Sequence, residues 1–211
     1  DYTQEQEAKL NWQNEHGDDH NPYDCLPKLH MRVFDIGETF SEFAITELDG
    51  KYFSFSEFFR TKQDFDKEEF TFVHEKSVEK FLNLLLGKTG NSHKNMFPFS
   101  TEEFRSIFKH TLWMLPGVKE AKALSKMLKR NPVFKEFAIA NVAGDGDEED
   151  GYLEALQKVR ETIDAYPYTI TLSCGKLTTG VTVPEWTGVF MLSGSSKTSP
   201  ASYLQTIFRV Q

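Results

Sequence analysis

Apolar residues recur along this chain with two rhythms, and the change falls near residue 105. Before it the pattern is irregular. Residues 3–14 admit a helix and residues 17–22 form a polar loop containing Gly17 and Pro22, so residues 1–24 predict a mobile lead-in. Residues 29–36 alternate apolar and polar between Pro27 and Gly37, the pattern of a lone or edge strand. Residues 40–72 are dense in phenylalanine and charge and predict short helices around a turn at Asp49-Gly50. In residues 77–86, Val78, Phe81, Leu82 and Leu85 share one helical face, and the stretch from Gly87 to Asn95 ends that helix. Ser100 followed by Glu103 has capping-box spacing and predicts a helix to about Phe108.

After Lys109 the rhythm becomes regular. Residues 111–115 form a short apolar strand ending at Pro116-Gly117, and residues 119–130 follow as a helix with Ala121, Leu124 and Leu128 inward. The unit then repeats: a strand over 137–142, an acidic loop over 144–151, and a helix over 152–165 bearing Leu153, Leu156, Val159 and Ile163. Strands over 168–172 and 187–192 and a last helix over 200–208 complete the series. Strands alternating with helices of this length predict an α/β fold, a parallel sheet with helices on both faces, whose ligands lie beyond the carboxyl ends of the strands. Pro116-Gly117, Gly144-Asp145, residues 175–184 and residues 194–199 then share one functional edge.

Charge divides the chain at the same place. Residues 1–105 carry 12 Lys/Arg against 21 Asp/Glu, and residues 106–211 carry 12 against 11, which together give the net charge of −8. Fourteen of the 19 phenylalanines precede residue 106. Three regions follow: a lead-in with a possible closing strand over 1–37, a Phe-rich acidic α+β segment over 38–105, and the α/β region over 106–211. The acidic balance argues against a free-standing, high-affinity nucleic-acid binder, because Lys and Arg supply most phosphate affinity. No apolar run reaches the roughly 18 residues of a membrane span, and two cysteines, Cys25 and Cys174, form no disulfide framework. A cytoplasmic setting and no membrane partner are expected. The start at Asp1 fits a piece of a longer protein.

Several chemical signals dissolve on inspection. Gly87-Lys88-Thr89 ends like a P-loop, but the glycine required five residues before Gly87 is Leu82, inside a helix. His16, Asp18, Asp19, His20, Asp24 and Cys25 lack the paired spacing of a zinc site. With Asp145 as first ligand of a calcium loop, the turn glycine would be Asp150 and the bidentate glutamate Leu156. No metal site is expected. Neither cysteine stands in a Cys-His pattern that would mark a thiolate nucleophile, and no Gly-x-Ser-x-Gly elbow occurs.

The last forty residues are more specific. Leu177-Thr178-Thr179-Gly180-Val181-Thr182-Val183-Pro184 and Gln205-Thr206-Ile207-Phe208-Arg209 offer a loop of small hydroxyl residues and a helix with one glutamine and one arginine. Small residues let backbone amides approach phosphate, and an arginine at a sheet's ligand edge suits phosphoryl-transfer charge. These two segments resemble motifs V and VI of superfamily-2 helicases, most closely the restriction-enzyme (type III, ResIII-like) branch, whose motifs read roughly L-T-E-G-W-D-V-P and Q-x-x-G-R-x-x-R. Residues 110–118 are similar to the motif IV strand and turn that open the second RecA-like lobe of that family. Thr182 stands where the family has aspartate, Phe208 where it has glycine, and Gln211 ends the chain one residue before the second motif VI arginine.

The resemblance implies a RecA-like lobe of an ATP-dependent DNA helicase or translocase, truncated at motif VI, in a restriction-modification enzyme. Thr178, Thr179 and Gly180, with Gly117 of the motif IV turn, would touch the nucleic-acid backbone. Gly180, Thr182, Gln205 and Arg209 would face ATP and Mg2+ held by a first RecA-like lobe upstream in the same polypeptide, with Gln205 and Arg209 acting on the γ-phosphate. Nothing in the chain resembles Walker A or Walker B, so it is expected to be inactive alone, with no cofactor bound. A degenerate RecA-like lobe serving as a protein-interaction scaffold is the alternative, motivated by the net charge, Thr182 and Phe208. An unrelated flavodoxin-like nucleotide binder is disfavoured, because Pro116-Gly117-Val118-Lys119 is poor material for a phosphate loop.

Overall fold

The computed structural model describes residues 6, 11, 13, 15, 40, 41, 43, 53–64, 69–88, 97–144, 149–175, 177, 183–193, 205 and 206. The strand expected over 29–36, the turn at Asp49-Gly50 and most of the lead-in lie outside them. Residues 1–32 with Gln211 form one unit, within which Gln6, Asn11, Gln13 and Glu15 are helical. Residues 33–210 form the other.

In the larger unit the elements run α1 (Phe55–Phe58), β1 (Thr61–Asp64), β2 (Glu69–Phe72), α2 (Glu75–Leu85), α3 (Glu102–Ile107), β3 (His110–Met114), α4 (Val118–Arg130), a 3-10 turn (Phe134–Glu136), β4 (Ala138–Asn141), α5 (Glu149–Ala165), β5 (Thr169–Ser173) and β6 (Gly188–Met191). β3 to β6 form a fully parallel sheet in the order β4-β5-β3-β6. The expected α/β architecture is present, a parallel sheet preceded by a smaller mixed segment.

Two strands were not expected. Residues 61–72, read as helical from sequence, contain the antiparallel pair β1–β2 with Thr61 opposite Phe72 and Asp64 opposite Glu69. Ser100 does not cap α3 either. Its hydroxyl donates to the Phe97 carbonyl, and Thr101 Oγ1 instead accepts from the Phe104 amide at 3.1 Å, so the cap lies one residue later. α5 starts at Glu149, inside the expected acidic loop, and Leu153 is 58% exposed rather than inward.

The parallel strands are buried on both faces, as near-continuous apolar runs require. On one face Trp113, Ile170, Leu172 and Phe190 meet Ala121, Leu124 and Leu128 of α4, Phe134 and Phe137. On the other, Leu112, Met114, Ala140 and Val189 meet Ala155 and Val159 of α5, with Leu177, Val183 and Trp186. The chain leaves β3 through α4 to reach β4 two positions away, then returns through α5 to β5. Right-handed crossovers made in opposite directions put the two helices on opposite faces.

The first face is shared with the Phe-rich region. Phe58, Phe59, Phe72, Phe81 and Phe99 belong to the same continuous core as Trp113 and Leu124. Gly87 ends α2 in the manner a helix C-terminus prefers. Its φ is +66°, its amide reaches the Leu84 carbonyl at 2.8 Å, and the Lys88 amide reaches that of Asn83 at 2.9 Å. These are the two bonds of a Schellman motif, so Gly87-Lys88 is a helix stop and not part of a phosphate loop.

Candidate functional site at the strand ends

Ladder hydrogen bonds extend past the strands and level their carboxyl ends. The Leu115 amide donates to Ser173 O at 2.8 Å, Val142 to Leu172 O at 3.0 Å, and Leu192 to Met114 O at 2.9 Å. The connection from β3 enters α4 on one face, whereas the residues after β5 return to the core on the other. Adjacent strands whose connections part to opposite faces open a crevice at their carboxyl ends, the usual ligand position in such sheets. Here that crevice lies between β3 and β5, bordered by Pro116-Gly117 and by Cys174-Gly175.

Each border has a local cause. β5 ends where the backbone turns at Gly175, with φ +140° and open space where a Cβ would stand. Leu177 then adopts φ +65°, a left-handed conformation that costs a branched residue about 1–3 kcal/mol, and its side chain is 1% exposed. Burial in the α5-side core offsets that strain. Val183, also fully buried, anchors the other side of Thr178–Thr182. Thr178, Thr179, Gly180 and Thr182 themselves lie outside the described residues.

Gly117 is the N-cap of α4 in extended conformation, where the resemblance had it touching a DNA backbone. The Glu120 carboxylate folds back over it, with Oε2 2.5 Å from where a Cβ would stand, and Oε1 accepts from Thr61 Oγ1 of β1 at 3.1 Å. A carboxylate in the first turn satisfies the positive helix end that would otherwise favour an anion. Sequence reading passed over Glu120; its place three residues after the cap, the capping-box offset, was the available signal.

β4 contributes Asn141, whose Oδ1 accepts from the Ala143 amide at 3.1 Å and whose carbonyl accepts from Lys158 Nζ at 2.8 Å. Gln205 is helical and exposed while its neighbour Thr206 is 3% exposed. Arg209, Asp145 and residues 194–199 lie outside the described residues, as do His16, Asp18, Asp19, His20, Asp24 and Cys25. Among the described residues no group of three His, Cys, Asp or Glu is placed to hold a metal ion. No described helix is long and apolar enough to cross a membrane.

A cleft of about 220 Å³ lies on a different part of the molecule, between β2, α2 and α4. Phe70, Leu82 and Met127 line it together with Glu75, Glu79 and Arg130, a mixed-charge surface.

No family model and no solved structure matches the chain. It is similar to a Mycoplasma pneumoniae protein whose provisional name is the type II restriction enzyme and methyltransferase RM.MpnORF110P C-terminus, with 32% identity over 205 residues. The alignment takes in 90% of this chain and 28% of that protein. The chain is thus related to a protein of restriction and modification and spans about a quarter of its length.

Proposed function

We propose that this chain is a segment of a cytoplasmic restriction-modification enzyme acting on duplex DNA, and that residues 106–211 are the second lobe of its ATP-driven translocase. The observation that carries the reading is the 32% identity over nine-tenths of the chain with a restriction enzyme and methyltransferase. The finer motor reading draws on the resemblance of two segments to helicase motifs, together with a crevice bordered by Gly117 on one side and Gly175, two residues before the motif V segment, on the other. Thr178, Thr179, Gly180 and Gly117 would meet the DNA backbone, and Gly180, Thr182, Gln205 and Arg209 would meet ATP.

Of the residues assigned to the nucleotide, Gln205 is exposed and its amide carries both a donor and an acceptor. Bound ATP with Mg2+ supplies the phosphoryl group and part of its charge neutralisation. This chain contributes the Gln205 amide, which orients, and the Arg209 guanidinium, a fixed positive charge with planar donors. The first RecA-like lobe of the same polypeptide supplies the rest.

The test is duplex-stimulated ATP turnover by the full-length enzyme. Arg209→Ala is expected to lower kcat by about 10²-fold while leaving DNA affinity within a few fold, as loss of one charge-stabilising donor does; the second motif VI arginine, the family's usual finger, is not in this chain. The isolated 211-residue chain is expected to show no turnover. A full-length enzyme that hydrolyses no ATP overturns the motor reading. The scaffold alternative, favoured by the Glu120 carboxylate at Gly117, would then hold.

A further inference from the structure

We infer that the outer face of α4 is a track for the phosphate backbone of duplex DNA, carried by Lys119, Lys122 and Lys129. Lys122 and Lys129 follow Lys119 by three and ten residues, which sets the three side chains along one side of the helix, between the buried positions Ala123 and Ser125 and away from Ala121, Leu124 and Leu128. Lys119, Lys122 and Lys129 are exposed. At 1.5 Å per residue the row runs about 15 Å, starting beside Gly117 at the strand-end crevice and descending away from it.

Solvated helix faces ordinarily interleave signs, with Glu or Asp three or four residues from each Lys. This face does the reverse in a chain of net charge −8. Residues 118–136 hold six Lys/Arg against Glu120 and Glu136 alone. Glu120 is turned to Thr61, and Glu136 lies beyond the helix end. Lys122 therefore has Lys119 and Lys126 as helical neighbours and Lys129 has Lys126, a repulsive arrangement that Glu69 relieves at Lys126 and an external polyanion would relieve at the others.

The helix dipole does not account for the pattern. It favours Lys129 near the carboxyl end but opposes Lys119 in the first turn. Lys126 pairs with Glu69, and Lys119 Nζ lies 5.5 Å from the Phe70 ring centroid. Lys122 and Lys129 make no ion pair among the described residues. Lys126 and Arg130 both line the cleft that also holds Glu75 and Glu79, so both are left out of the track. Duplex DNA fits better than an anionic membrane, because the apolar side of α4 is already buried against the sheet and has nothing to insert.

The inference rests on DNA as the partner, and its test separates the two. Binding of the 211-residue chain to a non-specific duplex is measured as a function of salt. Each phosphate contact contributes about −0.9 to the slope of log affinity against log salt, so a slope of about −2 to −3 is expected. The double variant Lys122→Gln/Lys129→Gln should reduce its magnitude by about 2, at unchanged melting temperature. Arg160→Gln, an exposed charge on α5, should leave it unchanged. Binding whose slope survives the double variant, or falls equally with Arg160→Gln, overturns the track and leaves the restriction-modification reading standing. No duplex binding at low salt also overturns it, and the ATP turnover experiment then judges the functional reading by itself. Preference for phosphatidylserine vesicles over DNA overturns it in favour of a membrane face.

Discussion

His110 opens the first strand of the parallel sheet with its ring half-buried and Nδ1 3.0 Å from Thr169 Oγ1. Burial lowers its pKa below the ordinary 6.5; Glu185 nearby pulls it up and Lys109 pushes it down further. The unfolded chain therefore takes up this proton at higher pH than the folded one. Stability from the neutral ring is complete above pH 6.5 and is lost as pH falls from there through the folded pKa. His110→Asn keeps a polar group beside Thr169 and removes the titration. The urea midpoint of the native chain should fall more between pH 7.5 and pH 5.5 than that of the variant, since carboxylate contributions are common to both. Parallel pH profiles would show that His110 does not titrate differentially.

At the scale of elements, what was legible and what was not divides by the range of the interactions. The parallel strands announced themselves as short runs of apolar and small hydroxyl residues, as in residues 111–115, where strands buried on both faces leave little room for charge. The β1–β2 pair did not. Thr61-Lys62-Gln63-Asp64 is polar along its length and becomes a strand through pairing with Glu69–Phe72, whose Phe72 is buried. The same limit applies at the site. Proline and glycine stand just past the carboxyl ends of β3 and β5, at Pro116-Gly117 and Gly175, but the position of the Glu120 carboxylate depends on Thr61, 59 residues earlier. That hydrogen bond ties the antiparallel pair to the first turn of α4. A double-mutant cycle with Thr61→Val and Glu120→Ala should give a coupling of about 0.5–1.5 kcal/mol, the range of an ordinary hydrogen bond, because partial exposure weakens a bond to a charged acceptor. Additivity within about 0.3 kcal/mol would mean that the pair contributes nothing to joining the two elements.

For the molecule as a whole, the decisive residue is Phe99, because it precedes the change in sequence rhythm yet sits within the core of the sheet that follows. Its ring is fully buried, with centroids 6.0 Å from Trp113, 5.2 Å from Phe134, 5.5 Å from Phe137 and 5.6 Å from Phe190. Its amide donates to the Leu85 carbonyl at the end of α2, so backbone and ring together bridge the Phe-rich region and the sheet. Charge and composition change at residue 105, but the apolar core does not stop there. A chain cut to residues 106–211 would expose that ring cluster to water. It should bind a hydrophobic dye and lack a cooperative urea transition, whereas the 211-residue chain should show one. Phe99→Ala in the full chain should cost about 3–5 kcal/mol, in the range of large-to-small changes at fully packed aromatic positions. A cooperative transition in the 106–211 piece, with stability near that of the whole, would mean that the sheet folds independently. The Phe-rich region would then be an appendage to the proposed lobe and not a wall of its core.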